Sequence, residues 1–208
     1  VLQDDLFSIM VRFRTHIYAF SSDITKMYRQ IEVDPSERKW QMIIWRESED
    51  IKLKYYVLNT LTYGTTCASY LAIKCLQTLA NNVKEKYPKA SVIAKRDFNV
   101  DDIMSGANTI EEAIVLQSEL IKLCEKGQFE LHKWCANHED LLKNIPKEKQ
   151  EKCMELGTDD QEVKALGIKW LPKRDIFKLS YMPTCHKKMN KRSVLSEMAQ
   201  MFDPLGIA

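Results

Sequence analysis

The sequence has no long apolar run, almost no net charge and no paired cysteines, and each absence narrows the class of protein. No run approaches the ~18 to 20 apolar residues that span a bilayer, and the amino end lacks a signal-peptide pattern, so we expect an intracellular, cytoplasmic protein with no membrane partner. With 31 Lys+Arg against 29 Asp+Glu the net charge is only +2, so any basic groove for nucleic acid must be local. The six cysteines form no CxxC pair and are expected to be reduced thiols.

The length and composition predict a single α+β domain. A chain of 208 residues, 45% of them hydrophobic, can bury one sizeable core. It contains no internal repeat and no low-complexity tract. The chain opens at Val1 and stops at Ala208 inside an apolar stretch, so we expect it to be a fragment of a longer protein.

Hydrophobic alternation predicts several strands. Residues 14–24 alternate along a half-buried strand, with Ile17, Ala19, Ser21 and Asp23 on one face. Residues 39–46 and 53–58 are rich in aromatic and aliphatic side chains and are separated by a polar stretch, which predicts a hairpin. Residues 91–104 are predicted to form a strand, a tight acidic turn and a second strand.

Two segments have the periodicity of amphipathic helices. Residues 69–83 place apolar side chains four apart, and residues 109–126 place them three or four apart. The predicted core faces are Leu71, Cys75, Leu79 and Val83 in the first helix, and Ala113, Leu116, Leu120 and Leu123 in the second. The second helix is expected to begin at an N-cap at Asn108 or Thr109 and to end at Gly127 as its C′ residue.

The candidate chemistry lies in acidic residues. The chain contains three Asp-Asp pairs, at 4–5, 101–102 and 159–160, and a bare pair of this kind is most often a plain β-turn. Only Asp101 and Asp102 lie between two apolar stretches, and burying like charges so close together is costly unless a cation neutralises them. Asp23, near the end of a predicted strand, would add a third carboxylate to an oxygen-rich Mg²⁺ site.

Five motifs in order resemble those of reverse transcriptases. They read DITKMY from 23, LTYGT from 61, FNVDD from 98, FELHKW from 129 and LGIKW from 166. These spellings, together with KRSVLS from 191 and FDPLG from 202, resemble the polymerase of Bel/Pao-type LTR retrotransposons, and the resemblance covers nearly the whole chain.

The resemblance implies a fold, an activity and partners. The fold would be a reverse-transcriptase palm at 1–186, an antiparallel sheet with flanking helices, followed by the start of a thumb at 187–208, with the fingers mostly missing. The activity would be RNA-directed DNA synthesis with two Mg²⁺ ions, Mn²⁺ being an alternative. The partners would be an RNA template, a DNA or RNA primer, dNTP, and the fingers, ribonuclease H and integrase of a parent polyprotein.

The resemblance also implies residue roles. The catalytic carboxylates would be Asp23, Asp101 and Asp102, which would hold the metal ions with the carbonyl oxygen of Ile24. The substrate-binding residues would be Tyr28, which excludes a ribose 2′-hydroxyl, with Tyr63, Gly64 and Asn99, and Lys133 as a candidate general acid for pyrophosphate. The nucleic-acid-binding residues would be Gly167, Lys169, Trp170, Lys187, Lys188, Lys191 and Arg192.

Two positions differ from the family's pattern: Asn99 stands where Tyr is usual, and Ser69 stands where Pro is expected. Three interpretations therefore stay open. The chain is an active polymerase domain without its fingers, a decayed or domesticated inactive copy that still binds nucleic acid, or a chain kept only for protein interaction. The three intact carboxylates favour the first.

Overall fold

A computed structural model describes residues 2–151, 154–155, 161–165, 168–179, 190–200 and 203–206. Within these residues the fold is mixed, with antiparallel sheets and five α-helices. None of the described helices is long and apolar enough to cross a bilayer. The predicted α+β class is confirmed, whereas the division at residue 187 between palm and thumb stays a prediction.

The elements follow one another in an irregular alternation of helices and strands. The helices are α1 Leu6–Phe13, α2 Ala68–Asn82, α3 Pro88–Arg96, α4 Ile110–Lys126 and α5 Lys191–Met198. The strands are β1 Tyr18–Ile24, β2 Met42–Trp45, β3 Lys54–Val57, β4 Phe98–Asn99, β5 Asp102–Ala107, β6 Leu131–Ala136, β7 Met154–Glu155, β8 Gln161–Ala165, β9 Ile168–Leu171 and β10 Ile176–Lys178.

The central sheet has the order β4-β5-β1-β6, and all its pairings are antiparallel. Strand β1 lies in the interior, paired with β5 on one side and β6 on the other. Both its faces are covered, since Phe20 packs into a core formed with α2, α3 and α4 while Ala19 packs with α1 and Trp170. The prediction of a half-buried strand over 14–24 was therefore wrong in two respects: β1 begins at Tyr18, and it is buried on both sides.

Helix α3 corrects the prediction for residues 91–104. The segment from Ser91 to Arg96 is helical, because Pro88 begins a helix whose buried side includes Ala90, Ile93 and Ala94 at helical spacing. The start of this segment was predicted to be a strand, but packing against α2 and α4 decides the conformation. The acidic turn and the strand after it are confirmed.

The end of α4 also differs from expectation. Thr109 caps its start by accepting a hydrogen bond from the Glu112 N–H, as predicted. Gly127 is the C-cap with φ −100°, and the left-handed residue is instead Gln128 with φ 60°. A Cβ at 127 would lie 2.6 Å from Leu79 Cδ2, so a larger residue there would force the end of the Leu79 side chain to move.

The two long helices differ in how well periodicity located their buried faces. All four predicted core positions of α4 are buried. In α2 the fully buried face is Ala68, Ala72, Leu76 and Ala80, one position away from the predicted one. Small alanines lie on that face because α2 packs closely against α3 and α4. The predicted hairpin forms as β2 and β3, whose strand residues are all exposed.

Candidate active site

Three carboxylates lie at one end of the central sheet. Asp23 is cross-strand partner to Asp102 in the β1–β5 ladder, and β4 and β5 are joined by a two-residue loop that contains Asp101. The Ile24 N–H donates to the Asp101 carbonyl at 2.8 Å, which fixes the loop to the end of β1. Residues that are far apart in the sequence thus form one acidic group.

The acidic loop carries backbone strain. Of its two residues, only Val100 has positive φ, at 59°. A two-residue hairpin needs this conformation, and it normally has glycine there. A β-branched residue in the left-handed region costs roughly 1 to 2 kcal/mol, so surrounding contacts must hold Val100 in place.

The electrostatics of the group are unfavourable without a cation. Burial raises the pKa of Asp102 to about 6, with further contributions from the nearby charges of Asp101 and Asp23. The pKa of Asp101 is also raised, mainly by burial and then by Asp23. Ionised carboxylates in such surroundings favour binding of a positive charge.

Lys133 supplies one positive charge to this group. Its Nζ lies 2.6 Å from Asp23 Oδ2, and this hydrogen bond raises the pKa of the lysine. A bulge in β6 opposite Ser22 places Lys133 at a φ of 51°. Bulges often redirect side chains next to active sites, and here the bulge accompanies a lysine that contacts a carboxylate.

The residues present fit a divalent cation. Asp23 Oδ1 is buried with no hydrogen-bond partner among the described residues, whereas Oδ2 accepts a hydrogen bond from the ammonium group of Lys133. Carboxylate oxygens are the ligands that Mg²⁺ prefers. In the described parts of the chain no three His, Cys, Asp or Glu side chains are gathered as a metal-binding group.

Tyr28 and Tyr63, both predicted to bind substrate, form an aromatic pair. Tyr28 lies in the 3₁₀ turn Met27–Gln30 that follows β1, and its ring contacts that of Tyr63 edge-on at 4.6 Å between centroids. The Tyr28 hydroxyl and Ser69 Oγ are 3.0 Å apart and share a hydrogen bond. Gly64 has φ 82°, and a Cβ added there would meet no described atom within 4 Å, so the conformation of the turn itself favours glycine.

A solved structure has a similar fold. No family model and no curated protein matches the sequence. A foamy viral protease-reverse transcriptase, solved in complex with an RNA/DNA hybrid, superposes with a TM-score of 0.53 over 82% of this chain, at 14% sequence identity. The chain has a reverse-transcriptase-like fold. It spans 18% of the length of that viral chain.

The reverse-transcriptase-like fold does not place every predicted nucleic-acid contact on the surface. Trp170 is fully buried, packs edge-on against Phe13 at 4.9 Å, and donates from Nε1 to Asp175. Its predicted contact with nucleic acid was wrong, because the ring belongs to the core. Lys169 lies in β9 and is half-buried, Lys191 and Arg192 are exposed in the first turn of α5, and Gly167, Lys187 and Lys188 lie outside the described residues.

Sequence reasoning missed two contacts of the site. The side chain of Gln3 reaches Asn99 and Val100 across the acidic turn, and Ser69 holds the hydroxyl of Tyr28. No local pattern marks Gln3, which precedes the predicted elements. Ser69 could have been found, because it replaces the family's proline with a hydrogen-bonding group.

Replacing Lys133 with Met is expected to tighten binding of Mn²⁺ by roughly tenfold. An ammonium a few ångströms from a divalent cation repels it by about 1 kcal/mol or more near a protein surface, and methionine removes that charge while keeping a similar length. The measurement is a Mn²⁺ titration followed by electron paramagnetic resonance. Lys149→Met is the matched control, because Lys149 pairs with Glu130 at 2.8 Å outside the acidic group. Equal affinities in wild type and Lys133→Met would contradict competition between the two cations.

Proposed function

We propose that this chain is the catalytic palm of an RNA-directed DNA polymerase, the reverse transcriptase of a Bel/Pao-type retroelement polyprotein. The observation that carries the proposal is the cross-strand pairing of Asp23 with Asp102 beside the acidic turn, at one end of a reverse-transcriptase-like sheet. The motif spellings support the Bel/Pao affiliation.

The carboxylates would hold the catalytic cations. Asp23, Asp101 and Asp102 would bind them through side-chain oxygens, and the Ile24 carbonyl would add another oxygen. Two Mg²⁺ ions, or Mn²⁺ in their place, would supply the charge that lowers the pKa of a primer 3′-hydroxyl and stabilises the departing pyrophosphate. Lys133 would neutralise Asp23 in the cation-free protein, and once released from it could approach the triphosphate of dNTP.

The remaining residues would position substrates. Tyr28 and Tyr63 would form a wall beside the incoming sugar, and Gly64 would allow the turn below the nascent base pair. RNA template and DNA or RNA primer are proposed as partners, which the RNA/DNA hybrid in the viral structure supports. The fingers, ribonuclease H and integrase of the same polyprotein complete the proposed partners.

Template-directed primer extension tests the proposal. This chain is joined to reverse-transcriptase fingers and given an RNA template, a DNA primer and dNTP, with Mg²⁺ or with EDTA. We expect extension only with Mg²⁺ and only while Asp101 is intact. Extension that is unchanged in Asp101→Asn would overturn the assignment.

A second function is favoured by one observation. The ion pair between Lys133 and Asp23, without a gathered metal-binding group in the described residues, also suits an inactive copy that binds nucleic acid. Such a copy would bind an RNA–DNA hybrid but would not extend a primer in Mg²⁺ or Mn²⁺. The extension assay and a hybrid-binding titration on the same protein separate the two functions.

Replacing Tyr28 with Ala is expected to raise incorporation of ribonucleotides relative to deoxyribonucleotides by about tenfold or more, a change of roughly 1.4 kcal/mol. The reason is steric, since the ring that would meet a 2′-hydroxyl is removed. Tyr28→Phe is the matched control, because it keeps the ring and loses only the hydrogen bond to Ser69. Single-nucleotide incorporation with each sugar measures the ratio. An unchanged ratio in Tyr28→Ala would remove Tyr28 from sugar selection.

A further inference from the structure

The acidic turn is held from outside the sheet by one side chain. Gln3 Oε1 accepts a hydrogen bond from the Val100 N–H at 3.2 Å, and Gln3 Nε2 donates to Asn99 Oδ1 at 2.8 Å. A single amide group therefore engages two consecutive residues of the turn. The first of its contacts is to the residue with the left-handed backbone.

Gln3 lies on a segment that is itself fixed. Gln77 in α2 donates to the Leu2 carbonyl, Asp4 pairs with Arg12 at 2.8 Å, and Asp5 caps α1 by accepting from the Ser8 N–H. Contacts on both sides of Gln3 hold the backbone that carries it. The amide can therefore resist movement of the turn and does not simply follow it.

The pairing also gives Asn99 a role. A tyrosine at this position has no oxygen one bond beyond Cγ to accept from Gln3 Nε2, whereas the short asparagine amide meets Gln3 beside the backbone. The departure from the family's tyrosine thus coincides with a partner that suits asparagine.

We propose that Gln3 is a positioning residue for the acidic turn: its amide fixes Asn99 and Val100 and thereby sets the orientation of Asp101 and Asp102 relative to Asp23. The contacts exist whatever the chain does, but their consequence for cation binding rests on the proposed function. Gln3 would act through the turn, because its side-chain hydrogen bonds go to Asn99 and Val100.

Amide hydrogen exchange and Mn²⁺ binding test the proposal on the chain as it stands. In Gln3→Ala we expect exchange at the Val100 N–H to be at least fivefold faster, and the Mn²⁺ dissociation constant to rise several-fold. Gln3→Glu retains an acceptor for the Val100 N–H, and Asn99 can turn its amide to donate to the new carboxylate, so exchange there should stay near the wild-type rate. Asp140→Asn, which weakens an ion pair to Lys143 outside the acidic group and away from Gln3, should change neither quantity.

Two further variants make the outcome decisive. If Gln3 acts through Asn99, the double variant Gln3→Ala/Asn99→Ala should bind Mn²⁺ no more weakly than the more affected of the two single variants. Unchanged Val100 exchange in Gln3→Ala would overturn the proposal, and so would faster exchange with unaltered Mn²⁺ affinity. Absence of Mn²⁺ binding in wild type would overturn the proposed function, while Val100 exchange would still decide whether Gln3 holds the turn.

Discussion

Replacing Asp101 with Asn is expected to reduce primer extension by about a thousandfold or more, equivalent to roughly 4 kcal/mol of transition-state stabilisation. Asn keeps the size of the side chain but removes one charge from the acidic group. That charge is needed where positive ions must be held against both the attacking and the leaving oxygen. The loss should appear in single-turnover extension at saturating dNTP.

The same substitution should leave the fold intact, and the pKa values explain why. Asp101 helps to raise the pKa of Asp102 to about 6, so at pH 7 the ionised form of Asp102 carries an energetic cost that the charge of Asp101 increases. A carboxyl whose folded pKa is raised gains stability as pH falls through that pKa and loses it above. Removing Asp101 lowers this cost at pH 7, so the unfolding midpoint in EDTA should be equal to or higher than that of wild type.

Asp140→Asn is the control for Asp101→Asn. Asp140 is a surface carboxylate paired with Lys143 in the next turn, outside the acidic group. The Asp140→Asn variant should extend primers at the wild-type rate. If Asp101→Asn lost activity only together with a lowered unfolding midpoint, the loss would reflect misfolding, and Asp101 would not be assigned to catalysis.

The acidic turn could be predicted from the sequence because a hairpin depends on residues that are close together in the chain. The Asp101-Asp102 pair lies between apolar stretches that pair as a hairpin, and Asp23, the penultimate residue of β1, is the cross-strand partner of Asp102. The order of the motifs supplied the pairing of distant strands. By contrast, the contact of Lys133 with Asp23 depends on a bulge in β6, which no alternation pattern predicts.

The wrong predictions concern tertiary packing. The resemblance of LGIKW to a polymerase motif implied that Trp170 contacts nucleic acid, but Phe13 and Phe177 cover its position in the second core. Alanines at 68, 72 and 80 carried a weaker hydrophobic signal than the larger side chains beside them, although close helix packing buries the alanines first. In both places the element that packs against the segment decides which side chains are buried. The sequence of the segment alone does not contain that information.

The hydrogen bond from Gln3 changes the role that we assign to Asn99. The resemblance to reverse transcriptases implies that asparagine in place of tyrosine would lose an aromatic contact with primer-template, worth roughly 1 to 3 kcal/mol. In the structure the asparagine accepts a hydrogen bond from Gln3, so a tyrosine would gain ring area but lose the contact that holds the turn. The partner lies 96 positions away and could not be read from the motif.

Beneath the acidic turn, Asp97 is the most buried charged residue of the described core, with 1% of its side chain exposed. Its Oδ1 lies 3.0 Å from Arg12 Nε and 2.8 Å from Arg96 Nε, and its Oδ2 accepts from Ser105 Oγ at 2.8 Å. This network joins α1, α3 and β5 at the residue that precedes β4. It therefore supports the scaffold from which the turn projects.

Asp97→Ala is expected to lower the free energy of unfolding by about 3 kcal/mol, at the lower end of the range for breaking a buried ion pair because both arginines keep some solvent contact. The substitution leaves the buried Ser105 hydroxyl and two guanidinium groups without their carboxylate. Urea unfolding measures the loss, and Asp97→Asn should lose less because its amide oxygen can still accept a hydrogen bond. Asp140→Ala, which removes only an exposed ion pair, should cost at most about 0.5 kcal/mol. A loss below about 1 kcal/mol in Asp97→Ala would mean that the network adds little beyond the packing of α1 and α3 against the sheet.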